Sequence, residues 1–120
     1  MSEVLKDLID IGVNLTGSAF QNDLPAVIER ALASGVSKMV VTGTNLQHSE
    51  LAIELCDLHS GVLYSTAGVH PHHAKEWHEK VANQIHNLLD QHCVRAIGEC
   101  GLDYNRNFSD PKDQRKCFEA

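Results

Sequence analysis

Four short apolar runs, each ending at a glycine, constrain this chain more than any other feature. They are "DLIDIG" (7–12), "SKMVVTG" (37–43), "VLYSTAG" (62–68) and "VRAIGECG" (94–101). Gly12, Gly43, Gly68 and Gly98 follow one another at intervals of 31, 25 and 30 residues. That interval is the length of a strand, a crossover helix and the start of the next parallel strand. The segments between the runs read as helices. "NDLPAVIERALASG" has Asn22 or Asp23 to cap it, an early Pro25, and a stripe of Leu24, Val27, Ile28, Ala31 and Leu32 that stops at Gly35. "LQHSELAIELCDLHSG" places Leu51, Leu55 and Leu58 on a stripe, and "HEKVANQIHNLLDQH" places Val81, Ile85, Leu88 and Leu89 on another. The expected order is β-α-β-α-β-α-β in a single domain over residues 1–120, with no linker or low-complexity segment.

A further helix is expected at "PKDQRKCFEA", with Ser109 or Asp110 as its cap and Pro111 in its first turn. Its apolar stripe has only begun at Cys117 and Phe118, which predicts a chain cut inside a helix. A terminal helix of ordinary length is the alternative.

Composition narrows the function classes. The apolar fraction of 42% suffices for a core, and no run of 18 apolar residues suggests a membrane span. "MSEVLKDLID" carries acids and lacks a small-residue cleavage site, so no secretory signal is expected. Cys56, Cys93, Cys100 and Cys117 form no C-x-x-C pair and no disulfide framework, which predicts a reducing, cytoplasmic setting. A net charge of −6 argues against a non-specific nucleic-acid coat. It leaves room for a nuclease whose phosphate contacts come from metals and helix ends.

In parallel α/β folds, functional groups collect at the carboxyl ends of strands. Here those ends carry Asp10, Gly12 and Asn14; Thr42, Gly43, Thr44 and Asn45; His70, His72 and His73; and Glu99 and Asp103. Glu99, flanked by glycines that would open space around it, suits a divalent cation or general-base work. His70, stiffened by Pro71, can bind metal, donate to a phosphate oxygen or carry a proton. His72 and His73 lie further from the strand. Asp10 reads equally as a ligand or as a group holding the strand end. Asn14 and Asn45 read as helix caps ahead of phosphate contacts. Arg106 can meet a phosphate bidentately or remain solvated. Cys100 reads as packing, and His48, His59, His78, His86 and His92 as polar helix surface. No G-x-S-x-G elbow, Walker loop or dinucleotide fingerprint is present.

"DIGVNLT", "TGTNLQHS", "STAGVHPH" and "AIGECGLDYNRNFS", in that order along nearly the whole chain, together resemble the TatD family of metal-dependent deoxyribonucleases. The resemblance implies the N-terminal half of a (β/α)₈ TIM barrel, about four βα units, with a metal centre at the strand carboxyl ends. It implies hydrolysis of DNA phosphodiester bonds, often from 3′ ends, with Mg²⁺ as the usual cofactor. It implies Glu99 as a metal ligand, from the Gly-Glu-x-Gly-Leu-Asp position, and His70 as a catalytic residue near the scissile phosphate. Asp103 and Arg106 are expected to bind substrate, DNA that is single-stranded, and some members of the family serve in DNA repair. Two departures stand beside it. Many relatives end the first strand in Asp-x-His-x-His, where this chain has Asp10, Gly12 and Asn14. The family's later ligands, two histidines and an aspartate, come from strands five, six and eight, beyond the four found here. The open sheet edges of a half-barrel invite self-association. Hydrolysis of another phosphoester or amide, and an inactive assembling half-barrel, are the alternative readings.

Overall fold

The structure, a computed structural model, describes residues 6–120. Residues 1–5, part of the stretch read as lacking a secretory signal, lie outside the described residues. Four strands, β1 (Leu8–Val13), β2 (Val36–Val41), β3 (Leu63–Ala67) and β4 (Val94–Ile97), form one sheet. Their order in space is their order in sequence, and every neighbouring pair is parallel. Helices α1 (Leu24–Ala33), α2 (Leu46–Leu58) and α3 (Glu79–Leu88) supply the crossovers that parallel pairing requires. A fourth helix, α4 (Pro111–Glu119), follows β4, and short 3₁₀ segments occupy Ser18–Phe20 and Pro71–Glu76. Among the described residues, no helix is long and apolar enough to cross a membrane.

The core lies between the sheet and α1 to α3. Met39 and Val41 of β2 and Leu63 of β3 pack there against Ile28, Ala52, Ile53 and Cys56. A smaller cluster joins Val69 to Val81 and Ile85 of α3. The stripe expected on α1 is largely correct: Ile28 is buried, with Leu24, Val27 and Ala31 packed beside it. On α2 the expectation is only partly right. Its buried residues are Ser49, Ala52, Ile53 and Cys56, with Leu55 packed against the core beside them, whereas Leu58 is exposed and Leu51 lines an open groove. The cause is closeness of approach. A Cβ on Gly43 would stand 2.4 Å from Ser49 Oγ, so only small side chains fit where α2 meets the strand ends.

Capping is selective. The Asn45 side chain accepts from the His48 amide at 2.8 Å and starts α2 as expected. Asp23 and Asp110 occupy cap positions without side-chain bonds, and Asn14 caps no helix. Ser109, the alternative cap for α4, turns to the 71–76 segment instead, where its hydroxyl donates to His72 O at 2.9 Å.

Among the described residues, the outer strands β1 and β4 are unpaired on their far sides. Leu8, Ile9 and Ile11 on β1 and Ile97 on β4 are exposed large apolar residues. These are open edges of the kind that pair with further strands.

Candidate active site at the strand carboxyl ends

The backbone at the end of β2 fixes the two leading candidates. Thr44 O accepts from the His70 amide and Gly43 O from the Glu99 amide, both at 2.7 Å. Gly98 N donates to Ala67 O at 3.0 Å, and Gly43 N donates to Thr66 Oγ1 at 3.0 Å. The segments leaving β3 and β4 are thus clamped to one template. His70 Nε2 then lies 3.4 Å from Glu99 Oε1.

The glycine that makes this approach possible is Gly68. A Cβ there would stand 2.7 Å from Glu99 O and from Gly98 C and O, all backbone atoms. Around the glycines beside Glu99 the space is open: a Cβ on Gly98 or on Gly101 meets nothing within 4 Å, and Gly101 also serves its backbone, at φ +142°.

The proton on His70 can be located by its partners. The His72 amide donates to His70 Nδ1 at 3.0 Å, so Nδ1 is the acceptor and the neutral ring carries its proton on Nε2, toward Glu99. Burial pushes the imidazole below its ordinary 6.5, against the upward pull of Glu99. At neutral pH the His70 ring that faces Glu99 is therefore neutral.

A second cluster is organised by Asp103. Its Oδ2 receives His72 Nε2 at 2.6 Å and Arg106 Nε at 2.9 Å. Its Oδ1 receives the Asn105 and Arg106 amides, each at 3.2 Å. The hydrogen bond from His72, then the Arg106 amide and guanidinium, hold this carboxyl at about 2. Asp103 is 14% exposed and turned inward, whereas Arg106 is 61% exposed. Asp103 thus serves internal partners, and Arg106 is the member of the pair that meets solvent. His72, ranked below His70 from sequence, is the most closely bound of the three histidines. His73 pairs with Glu76 at 2.8 Å in an exposed contact.

Sequence reasoning missed the support beneath. Gln114 of α4 is buried, accepts from Asp103 N at 2.7 Å, and donates to Asp103 O at 3.0 Å and Ser109 O at 2.8 Å. A glutamine three residues before Cys117, on the inward stripe of α4, was the available signal. His48, read as helix surface, is half-buried and lies 2.7 Å from Thr16 Oγ1, tying the β1–α1 loop to α2. Cys100, read as packing, is exposed, and all four cysteines are free. Asp10 accepts from the Gly12 amide at 3.1 Å and pairs in register with Met39, within β1. Its visible work is local to the strand.

This donor set fits part of a divalent-cation site. Glu99 offers hard carboxylate oxygens and is half-exposed. Among the described residues, however, no three His, Cys, Asp or Glu side chains converge on one point.

Asp103 predicts a pH response. Its folded value lies below the ordinary 3.8, so its stabilising effect is present above about pH 4 and is lost as pH falls through about 2. Thermal unfolding of Asp103→Asn should show a deficit against the parent chain at pH 5 that closes toward pH 2.

The arrangement defines a class: a parallel β/α scaffold with a histidine and a carboxylate facing one another at its strand carboxyl ends. The family described as TatD related DNase matches residues 9–120, and the chain belongs to that family. A 3′-5′ ssDNA/RNA exonuclease TatD from Pectobacterium carotovorum is 51% identical over 113 residues, covering 94% of this chain and 44% of that protein. The exonuclease of the same name from Erwinia tasmaniensis is 50% identical over the same shares. Among solved structures, a TatD family hydrolase from Entamoeba histolytica superposes with a TM-score of 0.87 at 30% identity, covering 98% of this chain and 45% of that one. An uncharacterized amidohydrolase from Saccharomyces cerevisiae gives 0.84 at 30% identity, covering 96% and 42%. The chain thus spans a little under half the length of the relatives it matches, and its fold is the N-terminal half of a TIM barrel.

Proposed function

We propose that this chain forms half of the active site of a metal-dependent exonuclease that hydrolyses phosphodiester bonds in single-stranded DNA or RNA from the 3′ end. The observation that carries the reading is the His70–Glu99 pair at the ends of adjacent parallel strands. The relatives' names supply the substrate class and add RNA to the DNA implied by the motifs.

Glu99 would hold Mg²⁺ as one ligand, the others coming from outside the described residues. The bound metal would supply charge that polarises a phosphoryl oxygen. His70 presents an N–H at Nε2 toward the same place, suited to donate to a phosphate oxygen. Arg106, oriented through Nε by Asp103, keeps the rest of its guanidinium free for a phosphate along the strand. Asp103 is a positioning residue, which refines the expectation that it binds substrate directly. The free thiols Cys56, Cys93, Cys100 and Cys117 suit a reducing compartment such as the cytosol.

The test is cleavage of end-labelled single-stranded DNA and RNA with Mg²⁺. This chain would be mixed with a separately made C-terminal half of the Pectobacterium relative, and a small aryl phosphodiester and an amide would run in parallel. Stepwise shortening of the nucleic acids from the 3′ end supports the reading. Turnover of the small ester or amide alone would replace it with another hydrolase of the same fold.

His70 also predicts a pH profile. Its folded value lies below 6.5, so the neutral ring persists above that pH and is lost only at lower pH. The acid limb of kcat should therefore lie below pH 6.5. His70→Gln should remove that limb and lower kcat by about 10²-fold, the usual cost of one preorganised donor.

A further inference from the structure

The opposite end of the sheet carries a feature that the nuclease reading does not use. Lys38 of β2, Tyr64 of β3 and Arg95 of β4 form a ladder across three strands near their amino ends. Arg95 Cζ lies 5.1 Å, and Lys38 Nζ 6.0 Å, from the centroid of the Tyr64 ring. Leu63 and Ser65, on either side of Tyr64, are buried on the helix side, so strand alternation puts Tyr64 on the face without helices. Lys38 Nζ also donates to Gly61 O at 3.4 Å. Among the described residues, no carboxylate lies within 4.0 Å of either cation; the four ion pairs found involve residues 70–106 and none includes Lys38 or Arg95.

We propose that this open face is a docking surface for strands that carry carboxylates at their amino ends, the Lys38–Tyr64–Arg95 ladder being the charge-selective element that admits them. Strands pairing with the open edges of β1 and β4 would close over the ladder and remove water from both cations. A desolvated cation without a counter-charge is costly, and a carboxylate in hydrogen-bonding reach offsets that cost. A second copy of this chain fits badly, because it would bring its own Lys38 and Arg95 into the same layer. The complementary set of strands is therefore acidic at its base, and like charge disfavours self-pairing. The exposed Ile9, Ile11 and Ile97 along the two edges supply apolar contact for either occupant, so charge makes the choice.

The proposal rests on the reading that the site is completed from outside this chain. Its test measures association and not cleavage, so the two can fail separately. The probe is the C-terminal half of the Pectobacterium carotovorum relative, titrated calorimetrically into this chain. Expected is one-to-one binding that weakens at least tenfold in Arg95→Glu and in Lys38→Glu. Binding should also weaken as salt is raised, more steeply for the parent chain than for either variant. If a charge reversal spoils folding by circular dichroism, Arg95→Gln and Lys38→Met replace it, with weakening in the same direction. Affinity unchanged by these variants, no association with the probe, or a stable dimer of the chain by light scattering would each overturn the proposal.

Discussion

Glu99→Gln is expected to lower cleavage by the completed enzyme about 10³-fold, because a bound metal contributes several kcal/mol of transition-state stabilisation. Glutamine keeps the size of the side chain, and its amide oxygen can still face His70 Nε2. The backbone clamp from Glu99 N to Gly43 O is untouched by the change. What disappears is the negative charge and, on the proposed reading, a hard ligand for the cation. The signature is a fall in kcat with a raised requirement for Mg²⁺, while thermal stability stays near that of the parent chain. A variant that lost stability and activity together would point to Glu99 as a structural residue.

Gly68→Ala is expected to damage the same site through packing alone. The new methyl would stand 2.7 Å from three backbone atoms of Gly98 and Glu99, none of which can rotate away. Overpacking of this kind costs about 1–3 kcal/mol. Relief requires the end of β4 to move away from β3, which separates Glu99 from His70. Gly98→Ala, with nothing within 4 Å of the added carbon, serves as the control and should stay within about 0.5 kcal/mol of the parent. Thermal melts of the two variants, read beside their metal dependence, check both halves of the expectation.

The strands were legible because each is a short apolar run closed by glycine, and because βα spacing leaves few alternatives. Placing His70 and Glu99 on one face followed from that topology without any contact being known. Two things were not legible. On α2 the pattern of leucines found only Leu55 of the buried side, since the sheet selects small residues such as Ser49 and Ala52 where backbones come close. The Asp103 cluster depends on the loop after β4 folding back over the 71–76 segment and onto Gln114 of α4. Those partners are separated by up to 37 residues in sequence, and no periodicity brings them together. The same loop explains why Asp103 pairs with Arg106 and His72, which residue type alone left open.

The central claim, that Glu99 and His70 mark the metal end of this half-site, can be tested on the chain by itself. Mn²⁺, a paramagnetic substitute for Mg²⁺, would be titrated into isotopically labelled protein while amide signals are followed by NMR. Expected is weak binding, with broadening that begins at Glu99, Cys100 and His70 and is absent in Glu99→Gln. Broadening that starts at Asp10, or that persists unchanged in the variant, would contradict it.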